Sequence, residues 1–104
     1  MPFATLVTSD QHDGASDLGR AGIYRLNIGL RPETYRALFG PPPAPRPDWG
    51  VLDTGHDYRQ LDVLMPHPVY APMGWLCVLN PGAGTFEGLR PILQEAYALA
   101  KRRK

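Results

Sequence analysis

The sequence predicts an α+β fold, a mainly antiparallel sheet with helices packed on one face, and three stretches carry that prediction. In residues 23–30 one parity holds Tyr24, Leu26, Ile28 and Leu30, while the other holds Ile23, Arg25, Asn27 and Gly29. That period of two is the pattern of a strand with one buried face. Residues 73–79 are apolar at nearly every position, as a mid-sheet strand covered on both faces is. Ile92, Leu93, Ala96, Tyr97, Leu99 and Ala100 form an apolar stripe at helical spacing, which places a helix at the end of the chain.

The other elements follow in chain order. Residues 3–8, FATLVT, are short, β-branched and apolar, and Ser9-Asp10 ends them, so they read as a strand. Residues 9–22, with three Asp and three Gly, read as a polar loop. Arg31-Pro32-Glu33 opens a helix with Pro at its first position and an acid in its first turn. Tyr35, Leu38 and Phe39 make its apolar side, and Gly40 stops it after about two turns. Residues 40–48 hold five Pro and are expected to form a stiff polyproline II connector on the surface.

Asp57 is expected to cap a second short helix over residues 57–64, with Leu61 and Leu64 on one side and Pro66 ending it. A short strand is expected near residues 67–70. Pro81-Gly82 makes a turn and Thr85 a cap for the last helix. Pro91 leaves two starts open for that helix: at Pro91 itself, or near Phe86 with a kink at the proline.

A chain of 104 residues is expected to make one domain, residues 1–104, that removes about 60–65% of its unfolded surface from water. Its 43% hydrophobic and 20% charged residues suit a soluble globule. No apolar run approaches the length that spans a bilayer, and no charged start leads into an apolar segment, so a cytoplasmic chain without membrane partners is expected. One cysteine, Cys77, excludes an internal disulfide, and one sulfur with three scattered histidines lacks the spacing of a zinc site. Neither metal nor cofactor is expected. Four positive charges sit in the tail Lys101, Arg102, Arg103 and Lys104 against a net charge of +1, so the body is mildly acidic.

Each chemically suggestive stretch has a plainer structural reading. Gly82-Ala83-Gly84 with Gly88 follows a strand and precedes a helix, but departs from the dinucleotide fingerprint and lacks the Lys-Ser/Thr of a phosphate-binding loop. Cys77 with His67, oriented by Asn80 or Asp62, would make a nucleophile and base. Leu76 and Val78 flank that thiol in the most apolar strand, where a thiolate is disfavoured. The acids around Asp10 and Asp13 invite calcium, yet the EF-hand positions for Gly and Glu hold Ala15 and Ala21, so an exposed turn is expected. His56-Asp57 reads as a capping pair. Tyr24, Tyr35 and Tyr97 lie on the apolar sides of their elements and are assigned to the core. His67, between Pro66 and Pro68, is expected to be a partly exposed, hydrogen-bonded histidine on an edge segment.

The segments PFATLVTSD, AGIYRLNIGL, MPHPVY followed by GWLCVLNP, and LQEAYALA occur in order along nearly the whole chain. Together they resemble the bacterial family DUF6194, for which the resemblance implies no activity. More distantly, the order of strand, two-turn helix, Pro…Trp strand and EAY-L final helix is similar to the MmcQ/YjbR proteins, small α+β domains described as DNA-binding. In those proteins the turn before the tryptophan carries His, Asn and Lys. Here the matching residues 69–74, VYAPMG, include no basic side chain to contact phosphate. Members of both groups usually carry a further helix and strand before the PFATLVT strand. Either the native start lies upstream of Met1 or the domain is short, and a short domain would expose an apolar edge and form a homodimer.

The functional expectation is a non-enzymatic binding or interaction module of unknown ligand. One alternative is weak nucleic-acid binding through Lys101–Lys104 with Arg25 or Arg31. Another is a small enzyme with a pocket near His67, Tyr70 and Cys77. His67 and Tyr70, on the proline-bracketed approach to the apolar strand, are the residues left as a binding site.

Overall fold

A computed structural model describes residues 4–8 and 13–102 of the chain. Four antiparallel strands form one sheet in the order β1 (Ala4–Val7), β2 (Arg25–Gly29), β4 (Trp75–Leu79), β3 (Met65–Pro66). Helices α1 (Pro32–Phe39) and α2 (Ala83–Arg102) complete the α+β architecture. The central pair aligns Asn27 with Cys77 and Ile28 with Leu76, so alternation along β2 and β4 divides their side chains between two faces. On one face Ile28, Leu76 and Val78 pack with Tyr35 of α1 and with Leu89 and Ala96 of α2. The Thr34 hydroxyl donates to the Glu95 carboxylate, 2.7 Å from either oxygen, and ties the two helices together.

The opposite face is also covered, which corrects the expectation of a β2 with only one buried side. Arg25 is 1% and Asn27 4% exposed. The irregular stretch around Ala15 and the stretch reaching Tyr58 and Val63 fold over this face, where Tyr58, Met65 and Cys77 cluster. Residues 13–22 form the loop that their composition suggests and are mostly exposed, but Ser16 and Leu18 within it are buried. Residues 9–12 lie outside the described residues. Tyr35 enters the core as expected, whereas Tyr97 is 54% exposed.

The segment 57–64 is not a helix. Its Gln60 amide closes a single turn on the Asp57 carbonyl at 3.1 Å, and the next groups find partners on β4: Leu61 bridges Leu79 in parallel, and the Asp62 amide donates to the Leu79 carbonyl at 2.7 Å. Asp57 accepts from the Arg59 amide at 3.0 Å in a local turn, the side-chain-to-backbone bond with which Asp competes against helix. Asp62 takes up the N-terminus of α2 from across the chain, accepting from the Gly82 amide at 2.8 Å. That amide, and then the Thr85 side chain, hold its carboxyl below the usual range. Helix α2 therefore starts at Ala83, ahead of the expected Thr85 cap, and runs through Pro91. The lost amide of Pro91 is tolerated because Leu89, Ile92, Leu93 and Ala96 on either side of it pack against the core.

The edge strand is Met65–Pro66, and not the residues 67–70 that follow it. From His67 the chain turns into a short 3-10 turn, Ala71–Met73, and Gly74 at φ 84 reverses it into β4. A Cβ at Gly74 would meet the Leu30 carbonyl oxygen at 3.2 Å in a backbone region that disfavours side chains, so the reversal depends on glycine. Helix α1 begins at Pro32 and ends at Gly40, as the sequence indicates. Among the described residues no helix is long and apolar enough to cross a membrane.

Candidate functional site

The site is built on β2, whose Arg25 and Asn27 point to the face away from the helices. The Arg25 guanidinium makes a two-pronged pair with Asp13, Nη1 to Oδ1 at 2.9 Å and Nη2 to Oδ2 at 2.7 Å, and Nη1 also donates to Ser16 Oγ at 3.2 Å. Both charged side chains are almost fully buried, at 2% and 7% exposed. Burial alone raises the Asp13 carboxyl, but the Arg25 hydrogen bond and charge outweigh it and hold the group below its ordinary value. The Ala15 amide donates to Asp13 Oδ1 at 3.2 Å, so the same carboxylate shapes the covering loop.

His67 stands at the end of the edge strand. Its Nδ1 accepts from two backbone amides, Val69 at 3.0 Å and Tyr70 at 2.9 Å, and thereby caps the turn that leads to β4. A nitrogen that accepts twice carries no proton, so the neutral ring is protonated on Nε2. Burial, then the positive charge of Arg25, push its pKa down to about 3, with Asp13 opposing. The expectation of a partly exposed histidine is thus corrected: His67 is 2% exposed because capping draws the ring inward over the backbone.

Between these groups and the edge strand β1 lies a cleft of about 400 Å³. Arg25, Asn27, Asp13 and His67 contribute its buried polar lining. Leu6, Tyr70 and Met73 line it as exposed apolar and aromatic groups, and Trp75 lines it from β4. The rings of His67 and Tyr70 are 5.1 Å apart and those of Tyr70 and Trp49 6.2 Å, which continues the aromatic surface outward.

Among the described residues, two buried polar atoms of this lining have no hydrogen-bond partner: the Nε of Arg25 and the Oδ1 of Asn27. The Asn27 amide is oriented by its other end, Nδ2 donating to Thr5 Oγ1 on β1 at 3.1 Å. An unpaired buried donor or acceptor costs about 1–3 kcal/mol, so β2 carries, at i and i+2 of one face, a donor and an acceptor with binding capacity in reserve.

Trp75 rests on Gly29, its cross-strand partner. A Cβ at Gly29 would stand 3.0 Å from Cε2 and 3.1 Å from Cζ2 of the indole. Gly29→Ala is therefore expected to push the indole into the cleft and to destabilise the chain by about 1 kcal/mol, the low end for overpacking because Trp75 is only half-buried. A shifted Trp75 indole N–H resonance together with chemical denaturation checks this; an unmoved indole would sink it.

Of the residues singled out in the sequence, the fold brings His67, Tyr70 and Arg25 to one cleft. Arg25 is enclosed and neutralised by Asp13, which removes it from the phosphate-contacting role considered for it. Arg31 does not line the cleft; it precedes α1, where its carbonyl accepts from the Tyr35 amide at 3.0 Å. Lys101 is exposed on the last turn of α2, and Arg103 and Lys104 lie outside the described residues. Cys77 is fully buried, and burial pushes its thiol up to about 12, so no thiolate nucleophile is available near neutrality. Asn80 joins the Tyr24 amide to the Gly22 carbonyl and Asp62 caps α2, so the arrangement of Cys77 with His67 and either residue is not assembled. Asp13, considered with Asp10 for calcium, is occupied by Arg25. Among the described residues no group of three or more His, Cys, Asp and Glu side chains is placed to hold a metal ion.

Sequence reasoning considered Asp13 for calcium alone and did not single out Asn27, Thr5 or Trp75. The available signal was Arg25 and Asn27 on one parity of β2, which is unusual for a strand whose neighbours are apolar. Nothing in the spacing identifies Asp13 as the partner across a loop.

In comparisons with known proteins, the model of a family of unknown function (DUF6194) matches residues 1–104. No curated protein and no solved structure matches.

Proposed function

The chain belongs to DUF6194, a family of unknown function, and from its own geometry we propose that it is a non-enzymatic module that binds a small ligand in the cleft between β1, β2 and residues 67–75. The observation that carries this reading is the cleft itself: about 400 Å³, apolar and aromatic at its exposed residues, with an unpartnered buried donor and acceptor on the strand beneath. Small-ligand sites have this composition, a mostly apolar enclosure with a few fixed polar groups. Binding without chemistry is supported by the state of the two reactive side chains. The Cys77 thiol is held protonated, and His67 has one nitrogen committed to the backbone and too little basicity to shuttle protons near pH 7.

A fragment library screened by two-dimensional NMR tests the reading. Hits are expected to move the Trp75 indole, the Asn27 side-chain amide and the Tyr70 backbone amide together. Tyr70→Ala, at a half-exposed position, is expected to leave the fold intact and weaken those hits by about three- to tenfold, the worth of one aromatic contact. Shifts confined to α2, or no hits at all, would overturn it.

A further inference from the structure

Resting on that reading, we propose that the ligand is an uncharged amide-type compound, a carboxamide or lactam with a flat apolar body, whose carbonyl accepts from Arg25 Nε and whose N–H donates to Asn27 Oδ1. Three observations converge on this class.

The first is charge. Arg25 and Asp13 are the cleft-lining residues that carry opposite full charges, and they satisfy each other through two short hydrogen bonds. An anion entering beside them has to displace Asp13 and meets its carboxylate; a cation has to displace Arg25 and meets its guanidinium. His67 adds no charge, because its Nδ1 already accepts two amides. The lining is electrically balanced and favours a neutral guest.

The second is the polarity of the unpartnered atoms. One is an N–H donor and the other a carbonyl oxygen, on residues two apart on one face of β2. A hydrocarbon satisfies neither, and an ether or ketone satisfies only the donor. A carboxamide or lactam carries one acceptor and one donor, the polarity that each of the two atoms lacks. Both atoms have almost no accessible surface, so the amide end has to enter first, lie deepest and shift the side chains that cover them.

The third is what surrounds that end. Trp75, Tyr70 and Met73 present aromatic and aliphatic surface to the rest of the guest, and the volume suits a compound of small-molecule size.

Four probes of nearly equal size separate the possibilities: benzamide, benzoate, benzylammonium and ethylbenzene, each titrated into the whole chain and followed by NMR. Benzamide is expected to bind at least about tenfold tighter than each of the others, the yield of two net hydrogen bonds, with the Arg25 Nε–H and Asn27 side-chain resonances moving most. Asn27→Leu is expected to abolish that preference, lowering benzamide affinity at least about tenfold relative to ethylbenzene. Equal or tighter binding of benzoate, benzylammonium or ethylbenzene overturns the amide class and leaves the binding module standing. Failure of all four while the fragment library still finds the cleft also overturns the class. Failure of probes and library together overturns the binding reading itself.

Discussion

Asp13→Ala is expected to lower the stability of the folded chain by about 3–5 kcal/mol, because it leaves the Arg25 guanidinium buried without a counter-charge. Ser16 Oγ at 3.2 Å is the remaining described side-chain acceptor on that group, and a hydroxyl carries no compensating charge. For a fold with about 5–15 kcal/mol in total, a loss of this size shows as a large shift of the denaturation midpoint. The double variant Asp13→Leu with Arg25→Met is expected to recover most of it, since no charge is then left in the interior. The difference between the single and double variants measures the coupling within the pair. A cost below about 1 kcal/mol for Asp13→Ala would mean that water reaches the guanidinium, contrary to its 1% exposure. The same pair contributes to acid sensitivity. With the Asp13 carboxyl held below its ordinary value, its contribution is fully present above about pH 4 and is lost as pH falls through the folded-state value.

The second large effect belongs to His67. Its folded pKa of about 3 lies well below the value of an unfolded histidine, about 6.5, so between those limits the unfolded chain binds a proton that the native chain refuses. Stability is therefore unaffected by this group above about pH 6.5 and falls by up to about 1.4 kcal/mol for each pH unit below it, until about pH 3. Two variants separate the charge from the capping bonds. His67→Asn keeps an acceptor for the amides at i+2 and i+3, as Asn does in many turns, and removes the titration. It is expected to flatten the slope between pH 6.5 and 4 while costing about 1–2 kcal/mol at neutral pH for the lost ring volume. His67→Leu also removes the slope but strands two backbone amides, and is expected to cost about 3 kcal/mol or more. Denaturant unfolding at stepped pH reads both. An unchanged acid slope in His67→Asn would show that some other group refuses the proton.

These two effects come from the face of the sheet on which sequence and structure differ most. On the helix face the agreement is close. Ile28 and Ala96 announce their burial by period and Leu76 and Val78 by an unbroken apolar run, and the first helix is bounded by Pro32 and Gly40 because those residues favour a helix start and stop through their own backbone chemistry. On the other face, Arg25 and Asn27 occupy the parity a one-sided strand gives to solvent, and only the loop from Asp13 to Leu18 turns that side into interior. The segment 57–64 shows the same limit. Its leucines suit a helix, but two-turn helices are marginal alone, and β4 offers the Asp62 amide a carbonyl that a local turn does not.

What residue order determined by itself was local: strand and helix periods, the glycine and proline punctuation, the burial and inertness of Cys77, and the proline-bracketed stretch containing His67 and Tyr70 as the place to look for a site. What only the tertiary structure decided was pairing: Asp13 with Arg25, Asn27 with Thr5, Trp75 with Gly29, and the His67 ring with the turn it caps. The physical reason is that burial of an apolar side chain is non-directional and leaves a periodic trace in the chain. A charge or an amide in the interior needs a particular partner at hydrogen-bond distance, and that partner can come from any element the fold brings alongside.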